Sequence, residues 1–305
     1  MRKRRIIGMI AGGVGLSLFL YAALFYVDRR NVGGPDAGSA ATRTPVAASL
    51  APVRIDTVVQ GEGADGASLR VEGRAQPDSA VVLTDRGERI RQVRTDDTGV
   101  WVATLPVSDA PMAVEAELFT GEDGAQQVSL RGVETLFRIH RASDRSAGSP
   151  PLVMVSAPAA PSRIVSSPFG ALPSEGPLVL GAIDYDDAGG VIFSGLSEVP
   201  GRVRLYAADS AIGDTRVGAD GRWAYIAASV MPLGRYEVRA ELQPEAGGPR
   251  VSITVPFERL PPVADAGDGS DGALTVNFQP TSWQIRRTLV GGGVQTTAIF
   301  APGAR

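Results

Sequence analysis

The sequence predicts a mainly β protein that begins with one transmembrane helix. Three observations support this prediction. Residues 6–27 contain no charged side chain, residues 53–141 and 178–258 alternate apolar with polar side chains in short stretches, and the second of these regions repeats the first. Alternation with a period of two is typical of half-buried β-strands, whereas a long uncharged apolar run is typical of a membrane-spanning helix.

The N-terminal segment predicts a membrane anchor. As a helix, residues 6–27 would span roughly 30 Å, which matches the hydrocarbon core of a bilayer. A basic cluster at residues 2–5 precedes this run, so we expect residues 1–5 to stay in the cytoplasm and the bulk of the chain to be exported. A cleaved signal peptide is the alternative interpretation, although its apolar region would be shorter. Gly8 and Gly12 have the spacing of a helix-pairing motif, but glycine is common in membrane helices.

The composition restricts the possible chemistry. The absence of cysteine excludes disulfides, thiolate metal sites and cysteine nucleophiles. Lys3 is the only lysine and His140 the only histidine, and His140 ends an alternating stretch, where we expect a structural or surface role. The sequence contains no nucleophile-and-base motif and no phosphate-binding loop. We therefore expect no catalytic residues and no cofactor, and the acidic net charge of −3 argues against a nucleic acid partner.

Between the helix and the tail, composition predicts two modules separated by linkers. Residues 28–52, 142–177 and 259–272 are rich in Ala, Gly, Pro, Ser or Asp and are predicted to be linkers. The apolar run at residues 152–155 is an exception, which could instead add a strand to a neighbouring module. Turn-forming residues at close spacing make a β-sandwich the predicted fold of each module. In the first module the strand-like stretches are residues 68–72, 80–83, 89–94, 100–105, 112–118 and 128–139.

The two modules share residues at a constant offset, which predicts two copies of one fold. The matched pairs include Gly73 with Gly195, Val81 with Val203, Leu83 with Leu205, Gly99 with Gly221, and Trp101 with Trp223. Gly99 and Gly221 would allow the positive φ of a tight hairpin. Trp101 and Trp223 are predicted to anchor the two cores, with a stacking platform for a sugar ring as the alternative.

The repeated motifs resemble a known family. The first copy contains V-V-L-T-D, D-D-T-G-V-W-V and V-E-A-E-L, and the second contains V-R-L-Y, A-D-G-R-W and Y-E-V-R-A-E-L in the same order. These motifs resemble the bacterial Ig-like modules of exported alphaproteobacterial proteins. In that family such modules often precede a C-terminal lysin motif (LysM), which implies attachment to peptidoglycan.

The tail, residues 273–305, is similar in part to a lysin motif. Residues 275–287 resemble the opening strand, turn and first helix of the motif, and residues 291–300 resemble the start of its second helix. The closing strand is missing, so the resemblance implies a truncated α+β remnant. Its glycan-binding residues would be Pro280, Thr281, Ser282 and Trp283.

Two acidic clusters have spacings that could surround Ca²⁺: residues 184–187, and Asp265, Asp268 and Asp271. Both lack the distal glutamate of a complete calcium loop. We therefore interpret the first as a turn between strands and the second as solvated linker, and predict no metal site.

Together these features predict a non-catalytic, single-pass inner-membrane protein whose periplasmic part associates with peptidoglycan through its LysM-like tail and Ig-like modules. The alternative is a structural or adaptor protein whose Ig-like modules bind another envelope protein, with a non-functional tail. Exposed edge strands of β-sandwiches offer unpaired backbone groups for such a partner.

Overall fold

The computed structural model describes residues 52–63, 66–120, 127–170, 177–187, 189–228, 231–261, 274–289 and 293–301. The predicted transmembrane helix at residues 6–27 lies outside these residues, as do most of the predicted linkers 28–52 and 259–272. Within the described ranges, no helix is long and apolar enough to cross a bilayer.

The described chain is mainly β, as predicted. The first module is a sandwich of two antiparallel sheets, with the order β1-β2-β5 in sheet A and β4-β3-β6-β7 at the start of sheet B. Three strands therefore face four, as in seven-stranded Ig-like sandwiches. The strands are β1 (Arg54–Gly63), β2 (Gly66–Arg74), β3 (Ala80–Asp85), β4 (Glu88–Arg94), β5 (Val100–Pro106), β6 (Met112–Thr120) and β7 (Gln127–Ile139).

The segment that we predicted to be a linker, residues 142–177, is largely structured, which corrects that prediction. It contains the short helix α1 (Ala142–Ser146) and the strands β8 (Leu152–Ser156) and β9 (Arg163–Ser166). Strand β8 pairs with β7 and β9 pairs with β8, so both extend sheet B. All residues of β8 are buried. Because a strand buried on both faces is a continuous apolar run, it lacks the alternation that marks other strands.

The second module repeats the strand order of the first. Its sheet D has the order β13-β12-β15-β16, and its sheet C begins with β14-β11-β10. Each strand therefore has a counterpart in the first module, as the matched residue pairs predicted. The strands are β10 (Leu178–Asp186), β11 (Gly190–Ser197), β12 (Gly201–Ala207), β13 (Ser210–Arg216), β14 (Arg222–Ala228), β15 (Gly234–Pro244) and β16 (Val251–Arg259).

The tail is β rather than α+β, so the prediction of a LysM-like remnant is wrong. It forms β17 (Leu274–Phe278), β18 (Ser282–Thr288) and β19 (Val294–Phe300), and β19 pairs with β10. Sheet C therefore has the full order β14-β11-β10-β19-β18-β17. In β18 and β19 most residues on both faces are buried. In β18 the apolar Trp283 and Ile285 do alternate with polar residues, but the resemblance to a lysin motif assigned residues 275–287 to a strand, a turn and a helix.

Three cores hold the sheets together within the compact unit Ser49–Arg305. The first lies between sheets A and B and contains Trp101, and the second lies between sheets C and D and contains Trp223. The third lies between sheets B and C, so the modules are not separate domains on flexible linkers. Its largest members are Phe137, Ile139, Leu152, Met154, Trp283, Ile285 and Ile299.

The two repeated glycine turns connect sheets. Gly99 and Gly221 have the expected positive φ, +82° and +75°. However, β4 and β5 belong to different sheets, as do β13 and β14. The turns therefore cross the sandwich, and the expectation of a hairpin is corrected.

Each module also packs its tryptophan against a glycine of the neighbouring strand. Gly73 lies opposite Trp101 in sheet A, and Gly195 lies opposite Trp223 in sheet C. A Cβ atom at Gly73 would lie 2.4 Å from Trp101 Cζ2, and one at Gly195 would lie 2.7 Å from Trp223 Cζ2. The same Cβ atoms would lie even closer to backbone, 2.0 Å from the Arg54 carbonyl oxygen and 1.9 Å from that of Val179. Glycine is needed at both positions because a carbonyl oxygen of the neighbouring strand and the indole ring together occupy the space of a side chain.

We predict that Gly73→Ala and Gly195→Ala each lower the free energy of unfolding by about 1–3 kcal/mol, the usual cost of overpacking a core. Urea denaturation measures the change. Gly61→Ala is the matched control in sheet A, since its Cβ would meet nothing closer than Ser68 Oγ at 3.8 Å. Equal effects at Gly61 and Gly73 would contradict the close packing of Gly73 against the Arg54 carbonyl oxygen and Trp101.

The third core predicts that a change in the tail destabilises both modules. Trp283→Ala removes a buried ring that is 1% exposed and should cost about 3–5 kcal/mol. The fluorescence of Trp101 and Trp223, one in each module, reports the unfolding of both. Val133→Ala, at a side chain that is 65% exposed, is the control. Unchanged midpoints for both modules in Trp283→Ala would show that the tail is independent of them.

Candidate functional site

The structure disperses the four residues that the resemblance suggested for glycan binding. Pro280 and Thr281 are exposed in the turn between β17 and β18, whereas Ser282 and Trp283 are buried. The ring of Trp283 packs edge-on against Phe278, with the ring centres 4.7 Å apart. Its neighbours therefore cover the ring that a sugar would need for stacking.

The repeated residues lie inside the modules. Trp101 and Trp223 are buried in the first and second cores. A Cβ atom at Gly99 would lie 2.4 Å from the Ala75 carbonyl oxygen, and one at Gly221 would lie 2.8 Å from that of Ser197. These four residues thus contribute to packing and turn geometry.

The other polar residues singled out from the sequence make local contacts. His140 Nε2 lies 2.9 Å from the carbonyl oxygen of Ser149. Asp186 Oδ1 accepts hydrogen bonds from the N–H groups of Gly189 and Gly190, at 3.1 and 3.2 Å, in the turn between β10 and β11. No group of three or more metal-ligating side chains occurs in the described part of the chain. Asp265, Asp268 and Asp271 lie outside it.

A buried carboxyl group joins the segment before β9 to sheet C. Asp184 is 1% exposed. It accepts hydrogen bonds from the Ser162 N–H at 2.8 Å, the Ser162 hydroxyl at 2.6 Å and the Thr297 hydroxyl at 2.5 Å. Burial raises the pKa of Asp184, while the hydrogen bonds from Ser162 and Thr297 act in the opposite direction.

A buried guanidinium group joins the tail to sheet B. Arg287 is 8% exposed and donates to Gln295 Oε1 and to the hydroxyl of Thr135 on β7, at 2.7 Å. Burial lowers the pKa of Arg287 to about 10, so the side chain is charged at neutral pH. Gln295 in turn donates to the carbonyl oxygen of Ala157, directly after β8. These contacts hold sheets B and C in one relative position at the polar end of the third core.

Beyond β9, the same face of sheet C forms an open groove with a volume of about 320 Å³. Residues of β10, β19, β18 and β17 pack in the core shared with sheet B, whereas no described residue of β11 or β14 belongs to this core. The floor of the groove consists of small residues, among them Gly181, Ala182, Ser194 and Ala224, and Ile164 of β9 forms a wall. On the same face of β14, Ile226 is 61% exposed. The groove is therefore an uncovered apolar part of a sheet whose remainder is buried.

Arginine side chains lie on the rim of the groove. Arg216 and Arg222 line it, at 3.8 Å from Glu245 and 3.7 Å from Asp220.

A third arginine, Arg163 of β9, donates to the carbonyl oxygens of Ile55, at 2.6 Å, and Asp56. Burial lowers the pKa of Arg222, and the nearby charge of Arg163 lowers it further, against the effect of Asp220. The positive charges of Arg163 and Arg222 therefore repel each other.

Sequence reasoning missed this groove. Its local signal is that two successive outward positions of β14, Ala224 and Ile226, are uncharged, although Arg222 at the start of the strand is charged. Edge strands usually carry charges at such positions. The contribution of β9 had no comparable signal, because residues 163–166 lie in a segment whose composition predicted a linker.

Comparisons with known proteins identify no family for this chain. No protein-family model matches the chain, and no curated protein matches it. Among solved structures, the chain is similar to the central fibronectin-III array of RIM-binding protein, with 10% identity over 78% of this chain and 80% of that chain. The TM-score is 0.24. The fold is therefore assigned from the strand orders of its four sheets among the described residues.

The buried carboxyl group predicts a specific pH dependence. Because the pKa of Asp184 is raised, the folded protein binds this proton more tightly than the unfolded chain, in which the ordinary value is 3.8. The free energy of unfolding should therefore fall as the pH rises from about 4 through the raised pKa. Urea denaturation measures the free energy of unfolding of the wild type and of Asp184→Asn. We expect the wild type to lose stability relative to Asp184→Asn as the pH rises. A difference in free energy that stays constant from about pH 4 to about pH 8 would contradict the raised pKa of Asp184.

Proposed function

We propose that this chain is a non-catalytic structural or adaptor protein whose two Ig-like sandwiches, held as one body, bind another envelope protein. The observation that carries the proposal is the uncovered apolar groove of sheet C beside β9. The fold alone does not assign a function, since sandwiches of this kind serve many roles.

The surface chemistry of the groove supports an interaction role. Large exposed apolar side chains are uncommon on edge strands, because unpaired backbone beside apolar surface promotes association. Here Ile226 is exposed on the edge strand β14, and the groove floor is lined by small residues. Removing such a surface from water favours a bound partner by about 25 cal/mol for each Å² of apolar area.

The proposal includes a location. We propose that residues 6–27 anchor the protein in the inner membrane, with residues 1–5 in the cytoplasm and the β-rich part in the periplasm. Cell fractionation and protease treatment of spheroplasts test this. Full-length protein in the soluble periplasmic fraction would argue for a cleaved signal peptide instead.

Peptidoglycan association through the tail is the competing proposal. It has less support, because Trp283 and Ser282 are buried and the tail builds the third core. Residues Pro280 and Thr281 remain exposed. Sedimentation of the full-length protein with purified sacculi, compared with a double variant Pro280→Ala and Thr281→Ala, tests it directly.

Photo-crosslinking in cells tests the protein-binding proposal. A photoreactive phenylalanine analogue replaces Ala224 in the groove or, as a matched control, the exposed Arg204 on the outer face of sheet D. We expect a discrete crosslinked protein from position 224 and none from position 204. Equal crosslinking from both positions, or recovery only with sacculi, would contradict the proposal.

A further inference from the structure

We propose that the groove beside β9 receives an extended acidic polypeptide segment, which adds to the free edge of β9 as a new strand of sheet B. This inference rests on the proposed protein-binding function and specifies which kind of polypeptide segment the partner would contribute. The segment would alternate apolar side chains facing sheet C with acidic side chains facing the opposite way.

The first support is the free edge itself. Strand β9 is the last strand of sheet B, so one side of its backbone has no strand partner among the described residues. An added strand would lie about 4.8 Å from β9 and hydrogen-bond with these groups. Main-chain bonds of this kind supply affinity in strand addition, and alternate side-chain positions supply specificity.

The second support is that β9 is held rigidly on three sides. Ser162 is fixed to Asp184 of sheet C, and Arg163 donates to the carbonyl oxygens of β1 in sheet A. The hydroxyl of Ser166 donates to the Pro151 carbonyl oxygen at 2.7 Å. A strand that is already ordered loses little conformational freedom when a partner binds, and this favours affinity.

The third support is the space above sheet C. Strand β9 packs on β10 through Ile164, whose Cδ1 would lie 3.6 Å from a Cβ atom at Gly181. Beyond β9, the Ala182, Ser194 and Ala224 side chains leave a cavity of about 320 Å³. This is near the lower limit of ligand pockets, so it suits a few aliphatic side chains of one strand face.

The fourth support is charge. Arg163 lies on β9, beside the position of an added strand, with its guanidinium bonded to carbonyl oxygens of β1. Arg222 and Arg216 lie on the rim of the groove, each with one carboxylate within 4.0 Å, so among the described residues three arginines are offset by only the two carboxylates of Asp220 and Glu245. Opposite charges across neighbouring strands are favourable, and like charges are unfavourable. An acidic segment would relieve the repulsion between Arg163 and Arg222, whereas a basic segment would increase it.

A binding experiment with designed peptides tests the proposal. The full-length protein in detergent is titrated against a fluorescein-labelled peptide of about eight residues in which valine alternates with glutamate, and binding is followed by fluorescence anisotropy. We expect saturable binding. The same peptide with lysine in place of glutamate should bind at least about tenfold more weakly.

Two further changes distinguish strand addition from nonspecific electrostatic attraction between the peptide and the protein. Methylation of alternate backbone nitrogens of the peptide removes donors from one edge and should weaken binding at least about tenfold. Arg222→Glu should weaken binding of the glutamate peptide and strengthen that of the lysine peptide. Arg204→Glu, at an exposed arginine of sheet D, is the matched control and should change neither. Unfolding midpoints of both variants are measured to confirm that they fold.

Three outcomes would overturn the proposal: absence of binding by the glutamate peptide at millimolar concentration, equal binding of the methylated peptide, or equal effects of Arg222→Glu and Arg204→Glu. Crosslinking from Ala224 in cells would still support the protein-binding function in any of these cases. The failure of the peptide proposal is therefore distinguishable from the failure of the proposed function.

Discussion

The packing of sheet B against sheet C is the interaction on which the rest of the structure depends. If two seven-stranded sandwiches were connected only by a linker, each of their sheets would be buried on one face only. Here the strands of sheets B and C that form the third core are buried on both faces, and the strands added after each module, β8 and β9 and then β17, β18 and β19, supply much of this extra surface. The relative position of the modules is thereby fixed, and so is the place where β9 stops and sheet C remains uncovered.

The buried polar groups between sheets B and C explain why the two sheets pack in one relative position. An entirely apolar interface between two flat sheets tolerates sliding. Asp184 and Arg287 are satisfied only when Ser162, Thr297, Gln295 and Thr135 occupy their observed positions. Breaking one such contact leaves a buried charge without its partner, which costs more than the contact contributes when it is made. The polar groups thus favour one arrangement over its alternatives.

Both sandwiches and their repeat could be predicted, because strands with one buried face alternate and recur. Val203 and Leu205 alternate with arginines, and their counterparts Val81 and Leu83 occur at the same offset in the first module. Strand β8, from Leu152, is buried on both faces and therefore has no period-two alternation. In β18, Trp283 and Ile285 alternate, but the resemblance to a lysin motif predicted a turn and a helix there. The groove was not predictable, because it arises where two distant segments stop covering a sheet. The uncharged positions Ala224 and Ile226 of β14 were its only indication in the sequence.

The position of β19 has a consequence for how the molecule is made. It lies beside β10, and the hydroxyl of Thr297 contacts Asp184, 113 residues earlier in the chain. Residues as far as Phe300 must therefore be synthesised before sheet C can be completed, whereas the first sandwich can assemble earlier from local contacts. Until then the third core is incomplete, because β18 and β17 join sheet C only through β19. Newly synthesised protein should consequently depend on chaperones during this interval, in which three strands of the sheet are still missing.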